Sequence, residues 1–358
     1  YKRQAKLKIH YKTTKERGKT MNKLVKKITA VALSAVMVGG LFAGCSSQSG
    51  TAEKKEAKTS YKVGICQLAK HDALDAATKG FKDKLTEMGK EKGITFDFDF
   101  QNAGGDPTTC STITNKFVSS NYDLIMANGT AALNAAATAT VASKTPVVGT
   151  SITDYGTALK IDMASDGATG INVTGSSDVA PLATQAEELL KLFPKTKKVG
   201  CLYCSSEANS KFQVDEIKKA LEAKGVQCTF YSFTDSNDIQ AVALTAAKNS
   251  DVIYVPTDNI AASNGGVIDA ACTKEKTPIY AGEDGIFKNT NAVATLSISF
   301  YEIGQKAGEY AYDILVNGKD PATMNIYQTK NLTYIYNKDK AKEFNVTIPD
   351  NYVASDAE

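Results

Sequence analysis

The sequence predicts an α/β protein built from two similar, doubly wound lobes of parallel sheet. Its 358 residues are too many for one ordinary hydrophobic core and suit about two domains. Short apolar segments of strand length alternate with amphipathic helical segments, and this alternation occurs in two separate series along the chain. Alternating strands and helices form parallel sheets that are covered by helices on both faces.

The first series begins with a strand and an amphipathic helix. Residues 61–66 predict the strand, and Leu74, Phe81 and Met88 lie on the apolar face of the helix that follows. The same unit then repeats, and a last strand ends the series. The further strands are predicted at 94–100, 123–127 and 146–149, and the helices between them at 110–118 and 131–141.

The second series begins with a helix whose apolar face contains Leu182, Leu189 and Phe193. Its strands are predicted at 198–203, 227–230, 251–255 and 278–280, and its helices around 212–221 and at 239–247 and 260–272. The two series meet within 172–181. The chain therefore folds as two lobes in order along the sequence.

A C-terminal segment follows the second series. It contains a strand at 292–298, a helix at 303–315 and an alternating strand at 332–336. A segment of this kind would return across both lobes and add to the connections between them.

The first 44 residues differ in charge from the rest of the chain. They carry eleven Lys and Arg against one Glu, which leaves 31 basic and 38 acidic residues from Cys45 onward. That balance excludes a typical nucleic-acid-binding protein. A basic start at Met21, an apolar stretch and small residues before Cys45 predict an export signal. The sixteen uncharged residues 28–43 are short for the alternative, a transmembrane helix.

The cleavage site resembles a bacterial lipobox, Phe42-Ala43-Gly44-Cys45, although leucine is commonest at the position of Phe42. The resemblance implies that Cys45 becomes the first residue of the exported protein and carries the lipid. We expect residues 1–20 to be extra sequence before the start, 21–44 to be the signal peptide and 45–60 to be a flexible tether. The protein would then be held at the outer face of the bacterial cell membrane.

Several catalytic and cofactor sites are excluded by composition. From Cys45 onward there is one histidine, His71, with no tryptophan and no arginine. One imidazole cannot build a His-based zinc site, and no G-x-S-x-G, Walker A or G-x-G-x-x-G motif occurs. Cys201 and Cys204 form a CxxC on a predicted strand, where their spacing points them to opposite faces. We therefore predict no enzyme activity, cofactor or metal.

Polar side chains follow almost every predicted strand. Ligands of open α/β sheets bind beyond the carboxyl ends of the strands, and helix capping is the alternative explanation for the same residues. In the first lobe the candidates are Gln67, His71, Gly129, Thr130, Ser151, Thr153 and Asp154. In the second lobe they are Ser205, Ser206, Glu207, Asn209, Thr257, Asp258, Asn259, Glu283 and Asp284.

Three motifs carry a resemblance to a known family. The segments 172–178, 203–210 and 255–259, read with the lipobox and with residues 65–75, resemble the ABC-transporter substrate-binding proteins of the tryptophan/tyrosine type. The resemblance implies the type I periplasmic-binding fold, in which three crossovers join two lobes that close on a small solute. It places lobe one at 61–178 plus 288–318 and lobe two at 179–287 plus 319–350. The crossovers are expected near 177–179, 283–287 and 317–321.

The family implies capture of a solute for an ABC permease by a monomeric protein. The solute is expected to be an amino acid, more specifically an aromatic one by resemblance. The alternatives are a sugar- or nucleoside-binding lipoprotein, a ligand sensor of the same fold and an enzyme of the cleft. Without arginine, its carboxylate should meet Ser205, Ser206 or Thr130 at helix N-termini. Its ammonium should face Asp258, Asp178 or Glu283, because an unpaired charge in a closed cleft is costly.

Overall fold

The computed structural model describes residues 58–355, which form two lobes of mixed α/β structure. The first lobe contains a five-stranded parallel sheet in the order β2-β1-β3-β4-β5. Its strands are β1 (Ser60–Gln67), β2 (Thr95–Asn102), β3 (Leu124–Asn128), β4 (Val147–Ile152) and β5 (Val173–Ser177). Its helices are α1 (Asp72–Lys92), α2 (Pro107–Ser119), α3 (Thr130–Ala139) and α4 (Tyr155–Leu159).

The second lobe contains a seven-stranded sheet in the order β12-β11-β10-β9-β8-β6-β7. Its strands are β6 (Lys198–Cys204), β7 (Gln227–Phe233), β8 (Val252–Val255), β9 (Ile279–Ala281), β10 (Ala294–Ile298), β11 (Leu332–Tyr336) and β12 (Val353–Ala354). The helices in and after this lobe are α5 (Leu182–Leu192), α6 (Ala208–Glu222), α7 (Ile239–Asn249), α8 (Asn259–Ser263), α9 (Gly265–Glu275), α10 (Asp284–Asn289), α11 (Phe300–Leu315) and α12 (Lys338–Glu343). All pairs are parallel except β10 with β11.

The chain passes between the lobes three times. It leaves β5 for α5 through residues 178–181, and it leaves β10 for α11 at Ser299. It passes back to β11 after Tyr327, which still pairs with Ser176 of the first sheet. The fold class predicted from the sequence, two parallel-sheet lobes with three crossovers, is therefore confirmed.

Two of the predicted crossover positions are wrong. Residues 283–287 lie at the start of α10 in the second lobe, and β10 pairs with β9, so the crossing comes later, at Ser299. Residues 317–321 lead into a 3₁₀ turn (Pro321–Thr323) that packs on β5, so the last crossing comes within 328–331. The segment 288–298 therefore belongs to lobe two, and the segment 319–327 to lobe one.

The packing of α11 on α1 explains why the chain returns to the first lobe. The two helices approach so closely that a Cβ at Gly304 would lie 2.1 Å from the Ala77 carbonyl oxygen. A Cβ at Gly80 would lie 2.2 Å from the Tyr301 carbonyl oxygen. Glycines on both helices thus permit a contact that covers one face of the first sheet.

Several local elements differ from the predicted ones. The helix predicted at 260–272 is two helices, α8 and α9, because Asn264 leaves the helical conformation at φ −123°. Gly265 then packs against the backbone of Asn289, where a side chain would not fit. The short helices α4, α10 and α12 and the strands β5 and β12 are not among the predicted elements.

Each sheet is covered by apolar side chains on both faces. In the second sheet Cys201 belongs to the core on one face and Cys204 to the core on the other, which confirms the prediction that the CxxC cysteines diverge. The six cysteines within 58–355 are buried free thiols, and the Sγ atoms of Cys201 and Cys228 lie 3.1 Å apart. Burial among apolar side chains is therefore their common setting.

Candidate functional site

A cavity of about 630 Å³ lies where the carboxyl ends of the two sheets meet. The first lobe contributes the loop after β1, the start of α2 and one face of α3. The second lobe contributes the N-terminal ends of α6 and α8. Five of the residues predicted from strand ends line it: Thr130, Ser206, Glu207, Asn209 and Asn259.

The first lobe presents an uncapped helix N-terminus to this cavity. Gly129 occupies the cap position of α3 with φ 99°, and no side chain bonds to the first N–H groups of the helix. Thr130 and Ala131, the first two residues of α3, line the cavity. Free N–H groups and the helix dipole make such an end a binding site for an anion.

The second lobe presents a carboxylate, that of Glu207. Its Oε1 accepts the backbone N–H of Ile260 at 3.0 Å, and its Oε2 accepts the backbone N–H of Asn259 at 3.2 Å. The side-chain amides of Asn259 and Asn209 donate to the same Oε2 at 2.6 and 3.0 Å. These bonds fix the carboxylate between α6 and α8 at the cavity wall, where, among residues 58–355, it is the one charged side chain of the lining.

His71 and Asn259 join the two lobes. His71 precedes α1 in the first lobe, and its Nε2 lies 3.2 Å from Oδ1 of Asn259 at the start of α8. His71 is 9 % exposed, and its Nδ1 has no hydrogen-bond partner within the described chain. Burial lowers the pKa of His71, against the opposing effects of the Asn259 bond and of the Glu207, Asp75 and Asp72 carboxylates.

A second contact between the lobes lies beside the first crossover. Thr153 donates to Oδ1 of Asp178 at 3.0 Å and accepts from Nε2 of Gln213, on α6, at 3.2 Å. Burial raises the pKa of Asp178 to about 7, with a small further rise from Glu207, although the Thr153 bond lowers it. Gln213 was not among the predicted site residues.

Asp258 and Glu283 cap helices in the second lobe. Asp258 accepts the N–H of Ala261 at 2.8 Å and that of Cys204 at 2.6 Å, and Glu283 accepts those of Gly285 and Ile286. Burial raises the pKa of Asp258 to about 7, with Glu207 adding to the rise. Burial likewise raises the pKa of Glu283 to about 8, although its two backbone bonds lower it. Neither residue lines the cavity.

The other predicted site residues do not line the cavity. Gln67 bonds to Asp75 and Thr78 behind the loop after β1, and Ser151, at φ 57°, has a buried Oγ with no partner within residues 58–355. Asp154 caps α4 through the N–H of Thr157. The remaining three are Ser205, which bonds to Phe233, Thr257, whose carbonyl accepts from Asn209 and Gln213, and Asp284, which pairs with Lys288.

Residues of α2 and α3, which do not follow strand ends and are not among the predicted site residues, complete the cavity. Polar pairs four residues apart lie on each helix, Ser111 with Asn115 and Asn134 with Thr138. The apolar lining is small or aliphatic: Leu68, Pro107, Ala131, Ala135, Ala139, Ala208 and Ile260. A polar i, i+4 pair beside alanines is the signal that could have identified this wall.

Among residues 58–355, no group of three or more His, Cys, Asp or Glu side chains is arranged to hold a metal ion. The helices of that same range are each too short or too polar to cross a bilayer. The export signal and the lipobox fall outside the described residues.

Two lobes of parallel sheet that meet at a cavity lined by helix N-termini define a cleft-type binding protein of the type I periplasmic fold. The chain belongs to the family of ABC transporter substrate-binding proteins, whose model matches residues 62–358. A relative named tyrosine-binding protein, from Clostridioides difficile, is 32% identical over 340 residues, which cover 92% of this chain and 97% of the relative.

Two solved structures show the same fold at similar identity. A chain from Streptococcus pneumoniae in complex with L-Trp is 31% identical, with a TM-score of 0.75 over 81% of this chain and 96% of that one. A ligand-free, open substrate-binding protein from Clostridium difficile is 34% identical, with a TM-score of 0.63 over 82% and 99%. In this chain the contacts of His71 with Asn259 and of Gln213 with Thr153 hold the two lobes together in a closed arrangement.

Proposed function

We propose that the protein captures an aromatic amino acid between its lobes and delivers it to an ABC importer. The observation that carries this proposal is the charge pattern of the cavity. An uncapped helix N-terminus faces it from the first lobe, and the Glu207 carboxylate faces it from the second. An amino acid carries the complementary pair of charges on one carbon atom.

The solute's carboxylate is assigned to the first N–H groups of α3 and to Thr130. Its ammonium is assigned to Glu207, which borders the cavity, whereas Asp258, Asp178 and Glu283 do not. The aliphatic lining formed by Leu68, Ala135 and Ile260 would receive the side chain. The relatives that bind tyrosine and tryptophan support an aromatic side chain, and the cavity volume lies within the usual range of about 300–1,000 Å³ for small-ligand sites.

The protein would act outside the membrane as a lipid-anchored monomer. Family membership supports an extracytoplasmic location and a permease partner, and Cys45 at the lipobox supports the anchor. Replacing Cys45 by Ala should abolish lipid attachment and release the protein from the membrane fraction. Equal membrane retention of the variant would contradict the anchor and leave solute binding untouched.

A thermal-shift screen of the amino acids, sugars and nucleosides tests the solute class. L-Tyrosine or L-tryptophan at a hundred times Kd should stabilise the protein by about 2.7 kcal/mol, because binding to the folded state alone shifts unfolding. If a sugar or nucleoside stabilises the protein and no amino acid does, the solute is a sugar or nucleoside and the amino-acid proposal is wrong. The hydroxyl and amide groups of α2 and α3 are suited to bind such a solute. Turnover of any of these compounds would instead favour an enzyme.

A further inference from the structure

We propose that His71, Asn259 and Glu207 form a latch that holds the lobes closed over a bound solute, and that acid opens it. The three side chains form a continuous chain of hydrogen bonds from the first lobe to the cavity wall of the second. The inference rests on the proposed function, since Glu207 is also the residue assigned to the solute's ammonium. His71 does not line the cavity and acts through Asn259, so it is a positioning residue.

The direction of each bond follows from Glu207. Both of its oxygens accept backbone N–H groups, so its carboxylate acts as an acceptor towards α8. The Asn259 side chain must then turn its NH₂ group to Glu207, 2.6 Å away, and its Oδ1 to His71. Oδ1 can only accept, so Nε2 of His71 carries the hydrogen and donates it.

That assignment leaves Nδ1 of the neutral imidazole as a bare acceptor. In the closed arrangement Nδ1 is buried and without a partner among the residues of the described range. Protonation would therefore add an N–H at Nδ1 that has no acceptor among those residues. A buried donor without a partner costs free energy. Opening the lobes exposes the ring to water and removes this cost.

The charged groups around His71 do not cancel the effect of burial on its pKa. From the second lobe it faces Glu207, and from its own side Asp72 and Asp75, all three of which favour the imidazolium. Lys70 is exposed next to it in the chain. On α10, which packs against α1, Asp284 forms an ion pair with Lys288. Despite the three carboxylates, burial holds the pKa of His71 below its ordinary value of 6.5 in the closed arrangement.

The sign of the pH dependence follows. The closed state binds fewer protons at His71 than the open state, so closure weakens as pH falls through about 6.5. If the ring stays neutral when closed, this linkage reaches a factor of about ten between pH 7.5 and pH 5.5. The dissociation rate of a bound solute should rise by up to that factor over the same interval.

Two replacements of His71 separate its role as a hydrogen-bond donor from its ionisation. His71→Gln keeps an N–H donor for Asn259 and removes the ionisation, and His71→Phe keeps a ring and removes the donor. Dissociation of radiolabelled L-tyrosine is measured by rapid filtration at pH 7.5 and pH 5.5. We expect the Phe variant to release L-tyrosine several-fold faster than wild type at pH 7.5. The Gln variant should match wild type at pH 7.5 and show less acid acceleration.

The outcomes distinguish a failure of the latch proposal from a failure of the proposed solute. Equal rates for wild type and His71→Phe at pH 7.5, or equal acid acceleration in wild type and His71→Gln, would overturn the latch while leaving amino-acid binding intact. If wild type binds no L-tyrosine, the proposed solute fails and small-angle X-ray scattering of ligand-free protein tests the latch. His71→Phe should then have a larger radius of gyration than wild type at pH 7.5, and identical radii would overturn the latch.

Discussion

Replacing Asp258 by Ala tests whether this residue supports the site or contacts the solute. Asp258 is 1 % exposed, and its carboxylate accepts two backbone N–H groups, one at the end of β6 and one in the first turn of α8. Alanine removes both acceptors at once. The N–H groups of Cys204 and Ala261 would then lie in the interior of the second lobe without those partners.

The expected cost follows from those two bonds. A buried donor without a partner costs about 1–3 kcal/mol, and a lost helix cap about 1 kcal/mol. Removing a carboxyl whose burial raises its pKa to about 7 offsets part of this. We expect the free energy of unfolding to fall by about 3 kcal/mol. Asp154→Ala is the matched control: it also caps a helix, but through one backbone bond of 2.6 Å and from a half-buried position, so about 1 kcal/mol is expected.

Urea unfolding followed by circular dichroism at pH 7.5 measures both variants, and titration with L-tyrosine measures their affinity. A loss of stability in Asp258→Ala no larger than in Asp154→Ala, together with a fall in affinity of about thirtyfold, would refute the capping role. That result would instead support the original prediction that Asp258 faces the solute's ammonium, for which about 2 kcal/mol is expected.

Three further substitutions test other parts of the structure. Glu207→Gln should weaken L-tyrosine binding by about 2 kcal/mol, whereas Glu187→Gln, at a surface pair with Lys224, should not; calorimetry that finds equal affinities would exclude Glu207 as the ammonium partner. Folding raises the pKa of Asp178 from 3.8 to about 7, so its stabilising contribution is complete below pH 3.8 and is lost as pH rises to 7. The melting temperature of wild type should therefore fall more steeply from pH 5 to pH 8 than that of Asp178→Asn, and parallel curves would contradict the shift. Gly304→Ala should destabilise by about 1–3 kcal/mol because its Cβ meets α1, whereas Gly266→Ala, with open space, should be neutral or stabilising; equal unfolding midpoints would rule out the close approach.

Much of the fold could be predicted because the periodicity of apolar residues is local. The order of strands and helices in both lobes follows from it, as in β1 and α1. Local periodicity does not show which of the two sheets a strand joins. The apolar character of β10 would be the same in either lobe, and its pairing with β9 places it in lobe two. Gly80 and Gly304 mark the close approach of α11 to α1 in the sequence. An analysis of apolar periodicity does not identify them, because glycine is not part of that pattern.

The candidate site was predictable in outline for a related reason. Helix caps and solute contacts both place small polar residues after strands, so the strand ends identified Thr130 and Glu207 together with the caps Asp258 and Glu283. Separating the two groups needs the direction of each side chain, which depends on how the lobes meet. The wall formed by α2 and α3 was missed because it lies along helices and not at strand ends.

The structure of the protein crystallised with L-tyrosine tests the central claim most directly. We predict the amino acid in the cavity between the lobes, with its carboxylate at the N–H groups that begin α3 and its ammonium within hydrogen-bond distance of Glu207. The lobes should be closed, with His71 bonded to Asn259. L-Tyrosine bound with its ammonium on Asp258, Asp178 or Glu283 and away from Glu207, or bound outside this cavity, would contradict it.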